Sequence, residues 1–279
     1  MRGERCAACN EPGALAVRHE KWGFAIAVCA RCGTGATVVP EGFDATSIYD
    51  GGYFTGGHRD GYVDYAGSEP VLRREFRRTL GTLQQYVARG RLLEIGCAYG
   101  YFLDEARRSF DVEGLELSPD GVAACRARGL DVRREPLSAA ALEGRGPFDA
   151  AVMLDVIEHL ADPFAGLCAL RDALAPGGHL VLTTGDFGSV SSRAMGAAWR
   201  LLTPPQHLFF FTRAGLTAML RRAGFSVVST MYPWKLVPLG LALFQLGRPL
   251  GVTAVPEWAG RVAVPVNLFD AVQVVARRD

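Results

Sequence analysis

Four of the seven cysteines fall within the first 32 residues as two pairs of identical spacing, Cys6-x2-Cys9 and Cys29-x2-Cys32. Each CxxC turn brings two thiolates within reach of one ion, and four thiolates complete a tetrahedral zinc sphere with no position left open for a substrate. A structural zinc ribbon is therefore expected over residues 1–40. The competing reading, redox or free thiols, leaves a 40-residue segment with too little apolar core to fold alone. His19 lies between the pairs and is expected to be an ordinary surface histidine. Cys97 reads as a small residue in a tight turn, and Cys125 and Cys168 as small apolar side chains in helices.

A second chemical feature is the run Leu93-Glu94-Ile95-Gly96-Cys97-Ala98-Tyr99-Gly100-Tyr101-Phe102, in which a strand ends in small residues and a helix opens. Such a turn lets a ligand approach the main chain closely. It is not GxGxxG, and no phosphate-loop pattern occurs. About twenty residues further on, Glu116 closes another apolar run, where a carboxylate can accept both hydroxyls of a ribose.

The elements that must position these groups follow from periodicity. Strands are expected at Arg91–Gly96, Asp111–Leu117, Asp131–Glu135, Phe148–Asp155, His179–Thr184, Phe225–Tyr232 and Val266–Arg277. Helices are expected at Tyr101–Ser109, Asp120–Arg128, Pro163–Leu174 (stopped by Pro176-Gly177-Gly178) and Thr212–Ala223. This alternation predicts an α/β, doubly wound sheet. Within the ribbon, Phe24 to Val28 alternates as a strand. Residues 41–90 are expected to be a lid and linker region. It holds a Tyr/Gly-rich run (Tyr49, Tyr53, Phe54) and an amphipathic helix from Glu69 to Arg89, marked by Leu72, Phe76, Leu80, Leu83 and Val87. The outer face of that helix carries Arg73, Arg74, Arg77 and Arg78, read as solvated rather than as a stripe facing RNA. Residues 91–279 form the main domain, with an apolar insertion at 234–264 that would add a wall or a homodimer contact.

Composition limits the function classes. Thirty Lys+Arg against 29 Asp+Glu give a net charge of +1 over 279 residues, so affinity built on neutralising many phosphates, and with it bulk nucleic-acid binding, is not expected. The first residues hold charges and cysteines where a secretory signal needs an apolar stretch, and Leu236–Leu246, broken by Pro238, Gly240 and Gln245, is far short of the ~20 residues that span a bilayer. A cytoplasmic protein without a transmembrane segment is expected.

From Arg91 onward the chain resembles the class I S-adenosylmethionine-dependent methyltransferases. Leu93 to Gly100 is similar to their glycine-rich first motif, Glu116 to their ribose-binding acid, Asp149 to Leu160 (DAAVMLDVIEHL) to their fourth strand with its Glu-His signature, and Ala175-Pro176-Gly177-Gly178 to the lead into their fifth strand. The resemblance implies a seven-stranded Rossmann-like sheet whose last strand, near Phe269 to Ala276, runs antiparallel. It also implies S-adenosyl-L-methionine as cofactor, held by Glu94, Gly96, Cys97, Ala98, Gly100, Glu116, Leu117, Glu135 and Leu154. One departure follows the third strand, where Arg133-Arg134-Glu135-Pro136 stands in place of the acidic residue often found near the adenine, and Pro136 has no N–H to donate.

Methyl transfer needs alignment and exclusion of water, and a hydroxyl acceptor also needs a base for its proton. His159 and His207 are the candidates, since both follow strands at the ligand-binding edge of such a sheet. His58 and His179 are read as incidental. The run Trp199 to Thr212 resembles the substrate-facing loop of bacterial methyltransferases that also carry a zinc module, including sugar C-methyltransferases, with Gln206 where some of those have glutamate. The aromatic residues Tyr49, Tyr53, Phe54, Tyr65, Trp199 and Phe209–Phe211 suggest a lidded, partly apolar pocket. The expected activity is methylation of an oxygen on a small-molecule acceptor, a secondary-metabolite or glycosyl intermediate of natural product biosynthesis. Alternatives are C- or N-methylation of a sugar, an RNA or protein methyltransferase recognising its target through the zinc module, and a non-catalytic cofactor-binding partner.

Overall fold

The computed structural model describes residues 5–48, 64–247, 251–252 and 254–279. Tyr49, Tyr53, Phe54 and His58 lie outside the described residues. In chain order the strands are β1 (Leu15–Lys21), β2 (Phe24–Cys29), β3 (Gly35–Thr37), β4 (Gly90–Ile95), β5 (Phe110–Leu115), β6 (Asp131–Arg133), β7 (Phe148–Leu154), β8 (Leu174–Gly185), β9 (Phe209–Phe210), β10 (Phe225–Met231), β11 (Lys235–Pro238), β12 (Ala263–Val266) and β13 (Ala271–Arg278). The helices are α1 (Glu69–Gln84), α2 (Tyr101–Ala106), α3 (Pro119–Ala127), α4 (Ala139–Leu142), α5 (Pro163–Ala173), α6 (Val190–Met195), α7 (Arg213–Arg222), α8 (Leu239–Gly247) and α9 (Glu257–Gly260).

Seven strands form one sheet in the order β10-β13-β8-β7-β4-β5-β6. β4, β5 and β6 run parallel, β7 and β8 run parallel, and β13 is antiparallel to both β8 and β10. This is the doubly wound, seven-stranded Rossmann-like architecture that the alternating pattern implied, with the antiparallel last strand in place. The reason is legible in β7, whose run Ala150 to Met153 is wholly buried. A parallel strand covered on both faces must be apolar without alternation.

Several boundaries differ from expectation. Pro176-Gly177-Gly178 does not separate helix from strand. α5 ends at Ala173 and β8 begins at once, pairing Leu174 with Phe148 and then His179 with Ala150 across a register shift. The missing N–H of Pro176 and the left-handed Gly177 (φ 76°) loop the chain out of the ladder and let it return. The final apolar run is likewise split: Phe269 (φ 51°) turns the chain between β12 and β13.

The chain clusters into two compact units. One contains the residues up to Thr46, Leu137–Pro233 and Leu268–Asp279. Within it, β1, β2, β3 and β9 form an antiparallel sheet in that order, so the cysteine-bearing segment gains a fourth strand from far along the chain. Ile26 of β2 packs with Trp199, Leu202 and Phe210 in one buried cluster. The other unit contains Ser47–Pro136 and Trp234–Asn267. There α1 buries Val71, Leu72, Leu80 and Leu83 and stops at Gln84, short of the predicted Arg89. Arg73 on this helix is not merely solvated: it pairs with Glu69 (2.7 Å), Asp104 (2.7 Å) and Glu105 (3.0 Å), and Arg77 also reaches Glu105 (3.0 Å). In the 234–264 insertion β11 pairs antiparallel with β12, α8 and α9 fall between them in sequence, and the Leu236 N–H donates to the Glu75 carboxylate of α1 (2.8 Å).

Candidate functional site

The four N-terminal cysteines converge in the first unit. Their Sγ atoms all lie within 4.8 Å of one another, with Cys6 to Cys32 at 3.6 Å and Cys9 to Cys29 at 3.7 Å. A tetrahedron with Zn–S bonds of ~2.3 Å requires sulfur separations close to ~3.8 Å, so the donor set fits a zinc ion. Each CxxC forms the turn that such a site needs. Asn10 N–H donates to the Cys6 carbonyl (2.8 Å) and Gly33 N–H to the Cys29 carbonyl (2.9 Å), with Asn10 and Gly33 both left-handed (φ 61° and 75°). None of the four is in a disulfide.

In the other unit the glycine turn closes β4. Gly96 and Ala98 take left-handed conformations (φ 70° and 49°), and Gly96 N–H donates to the Leu115 carbonyl at the end of β5 (2.8 Å). Gly100 (φ 76°) is required twice over, because a Cβ there would lie 2.5 Å from Leu130 Cδ1 and 2.8 Å from Cys125 Sγ. Glu116 is the tie between the two loops. Its Oε2 accepts from Ala98 N–H (2.7 Å), and its Oε1 accepts from Leu117 N–H (2.8 Å) and Ser118 N–H (2.7 Å). Burial raises its pKa, and the three amides work against that rise. A carboxylate offers about four lone-pair sites, so three amides leave it one for a ligand hydroxyl.

Glu94 is buried and accepts a main-chain hydrogen bond from Leu103 in the first turn of α2. Its Oε2 has no hydrogen-bond partner among the described residues. Burial, followed by the charges of Cys125 and Glu116, lifts its pKa well above the usual carboxylate range. Cys97 is buried, its sulfur 3.9 Å from that of Cys125. Leu117 follows Glu116 with its N–H on that carboxylate. Glu135 is partly buried and lies two residues beyond the end of β6, which is shorter than predicted. Leu154 belongs to the first unit, as the last residue of β7.

The two histidines also belong to the first unit, and there the fold brings them together. Their ring centroids are 4.7 Å apart at 80°. His159 Nδ1 lies 2.8 Å from the Gln206 carbonyl and His207 Nδ1 lies 2.9 Å from the Leu201 carbonyl. A carbonyl can only accept, so both protons sit on Nδ1 and both Nε2 atoms keep a lone pair. Burial lowers the pKa of His159, with the Gln206 carbonyl and the Asp155 charge opposing. Burial, then repulsion by His159, pushes His207 down to about 3. Glu158 completes the group: one carboxylate oxygen and one nitrogen from each imidazole lie within 4.8 Å of one another. Such a donor set can pass a proton, and it also suits a divalent cation.

Asp155 was missed from sequence. It is left-handed (φ 54°) at the end of β7, its N–H donates to the Thr183 carbonyl (3.0 Å), and its carboxylate accepts from the Thr183 hydroxyl (2.9 Å). The one signal was its position, a carboxylate immediately after a strand at the ligand edge of a parallel sheet. Of the residues expected to line an aromatic pocket, Trp199 and Phe209–Phe211 are buried in the core, and they border a small cavity shared with Glu158, Thr184, Gly185, Leu201 and His207.

Residues 67–230 match the family described as Methyltransferase domain. The chain is 33% identical over 165 residues to a ubiquinone biosynthesis O-methyltransferase of Xanthomonas axonopodis pv. citri, covering 53% of this chain and 69% of that protein. It is 34% identical over 150 residues to the protein of the same name from Cereibacter sphaeroides, covering 50% of this chain and 61% of that one. Among solved structures, an S-adenosylmethionine-dependent methyltransferase from Archaeoglobus fulgidus superposes with a TM-score of 0.53 at 16% identity, covering 75% of this chain and 94% of that one. The magnesium protoporphyrin IX methyltransferase of Synechocystis PCC 6803, solved with S-adenosylmethionine, gives 0.51 at 14% identity over 86% of this chain and 100% of that one. At these identities the structures speak to the fold, whereas the match over residues 67–230 speaks to descent. With the glycine turn and its acidic tie in place, the chain belongs to the methyltransferase domain family and is an S-adenosylmethionine-dependent methyltransferase.

Proposed function

We propose that this enzyme methylates an oxygen of a small-molecule acceptor, with His207 as the base that takes the hydroxyl proton. The observation that carries this reading is a pair of imidazoles with centroids 4.7 Å apart whose Nδ1 atoms face backbone carbonyls, which leaves the Nε2 lone pair of His207 to act as the base. The names of the relatives, O-methyltransferases of ubiquinone biosynthesis, support an oxygen as the acceptor atom.

When bound, S-adenosylmethionine supplies a methyl group activated by a sulfonium. Gly96 and Ala98 present main chain without bulky side chains, Glu116 holds the turn and offers its remaining lone pair to the ribose, and Glu94 orients α2 beneath. Cys97, Gly100, Leu117, Glu135 and Leu154 complete the set assigned to the cofactor. His207 is neutral at physiological pH, because burial penalises its charged form. A weak base is sufficient here, since a hydroxyl proton becomes strongly acidic as a third bond forms to its oxygen. His159, whose pKa is also lowered by burial, stands beside it as a second neutral imidazole. Glu158 and Asp155 balance the charge that then develops on the imidazoles. C-methylation of a sugar is less well supported, because Gln206 brings no carboxylate to this turn and uses its main-chain carbonyl to orient His159.

The test is S-adenosylhomocysteine release across a panel of hydroxylated small molecules. With an accepted substrate, His207→Gln should lower turnover by ~10²- to 10⁴-fold while calorimetric S-adenosylmethionine affinity is unchanged. Near-normal turnover of His207→Gln and His207→Ala removes the base assignment.

A further inference from the structure

The zinc module raises a question that the cofactor turn does not answer: what a cysteine ribbon contributes to a methyltransferase. The segment from Trp199 to Thr212, which carries His207, is bound to the ribbon along its length. Lys21 Nζ at the end of β1 donates to the Trp199 carbonyl (3.1 Å). Thr37 Oγ1 donates to the His207 carbonyl (2.7 Å), and Thr37 N–H donates to the Leu208 carbonyl (2.9 Å). β3 then pairs with β9, Gly35 opposite Phe210 and Ala36 opposite Phe209. At the far end the Thr212 hydroxyl donates to the carbonyl of Cys32, itself one of the four sulfur ligands (2.6 Å).

A strand of two residues has no stability of its own, and its ladder partner β3 has only three. β3 in turn leaves the second CxxC directly, with Cys29 N–H donating to the Thr34 carbonyl (2.9 Å) one residue before β3 begins. The order of dependence is therefore metal, second CxxC turn, β3, and the main chain of His207. Thr37 is buried at 2% exposure. Its hydroxyl is the contact that falls on His207 itself rather than on a neighbour.

We infer that the ribbon is the acceptor-side scaffold of this enzyme, and that Thr37 is a positioning residue that fixes the His207 imidazole through its carbonyl. The inference rests on the reading of His207 as the base, and it assigns the ribbon to catalysis rather than to recognition of an RNA or protein target.

The experiment compares the full-length zinc-loaded enzyme with Thr37→Val, which keeps the shape and loses the donor, Thr37→Ser, which keeps the donor, and Cys9→Ser, which weakens the metal site. Two readouts are taken: amide hydrogen exchange, and kcat separated from KM for S-adenosylmethionine. Thr37→Val should lower kcat by ~10- to 10²-fold, as a misplaced catalytic group does, with KM unchanged, and Thr37→Ser should restore most of it. Exchange over Leu201–Phe211 should speed up in Thr37→Val and in Cys9→Ser, while Leu93–Gly100 stays protected. Faster exchange confined to residues 5–37, an unchanged kcat in Thr37→Val, or a parallel loss of kcat and cofactor affinity would each overturn the inference. Exchange does not depend on the reaction. If His207 proves not to be the base, the exchange result still decides whether the ribbon holds this loop.

Discussion

At the scale of single residues, the pH behaviour of His207 separates two kinds of base. An unperturbed histidine gives an acidic limb near 6.5, because it must lose a proton before it can act. His207 sits at about 3, lowered chiefly by burial and next by His159. Its neutral form is therefore already dominant well below pH 6. We expect kcat/KM to stay level from pH 8 down to about pH 5, apart from groups on the acceptor, and a His207-dependent limb between pH 6 and 7 would count against the geometry. The same shift acts on stability. A folded pKa below the unfolded one means that the unfolded chain binds the extra proton, so the contribution is present above about 6.5 and is lost as pH falls toward 3. Thermal scans should show His207→Gln losing less stability than the parent between pH 6.5 and 4.

At the scale of elements, Glu116 joins the turn after β4 to the loop after β5 through three main-chain amides. Glu116→Ala leaves those amides unpaired and takes away the lone pair proposed for the ribose. Each charge-assisted bond contributes ~1.5 to 3 kcal/mol, so S-adenosylmethionine affinity should fall by at least ~10-fold in calorimetry, and unchanged affinity would move the ribose elsewhere. That this residue mattered was legible in sequence, since an acid closing the second strand after a glycine turn has few other uses. Its amide ties were not legible, because they depend on the left-handed conformations of Gly96 and Ala98, which pattern does not encode. The strands were readable because burial on both faces demands long apolar runs. Pro176-Gly177-Gly178 misled because the residues that end a helix can also form an excursion within a strand. The pairing of His159 with His207 was out of reach. The two stand 48 positions apart in sequence, and only tertiary contacts bring their rings to 4.7 Å.

At the scale of the whole molecule, the metal is the most direct quantity to measure. Four sulfurs within 4.8 Å of one another suffice to close a tetrahedral sphere, so we expect one tightly held zinc per chain by elemental analysis of protein purified without chelator. Its removal should lower the melting temperature, because the ribbon has little apolar core beyond Ile26 and its partners. Absence of zinc from such a preparation would end the assignment. The same scale limits what the arginines of α1 can do. Arg73 and Arg77 already serve carboxylates within their own unit, which fits the balanced net charge. No helix among the described residues is long and apolar enough to cross a membrane.

The position of β13 has a consequence for the order in which the protein can be made. Although it follows every other strand in sequence, β13 lies inside the sheet, bonded to β8 on one side and β10 on the other. While the ribosome is still translating the residues from Asp186 to Asp270, β8 has an open edge, and β10 has no neighbour in the sheet to join. This part of the fold therefore closes late and all at once. A chain halted before Ala271 would leave the facing edges of β8 and β10 unpaired, the situation in which strands from another molecule are recruited.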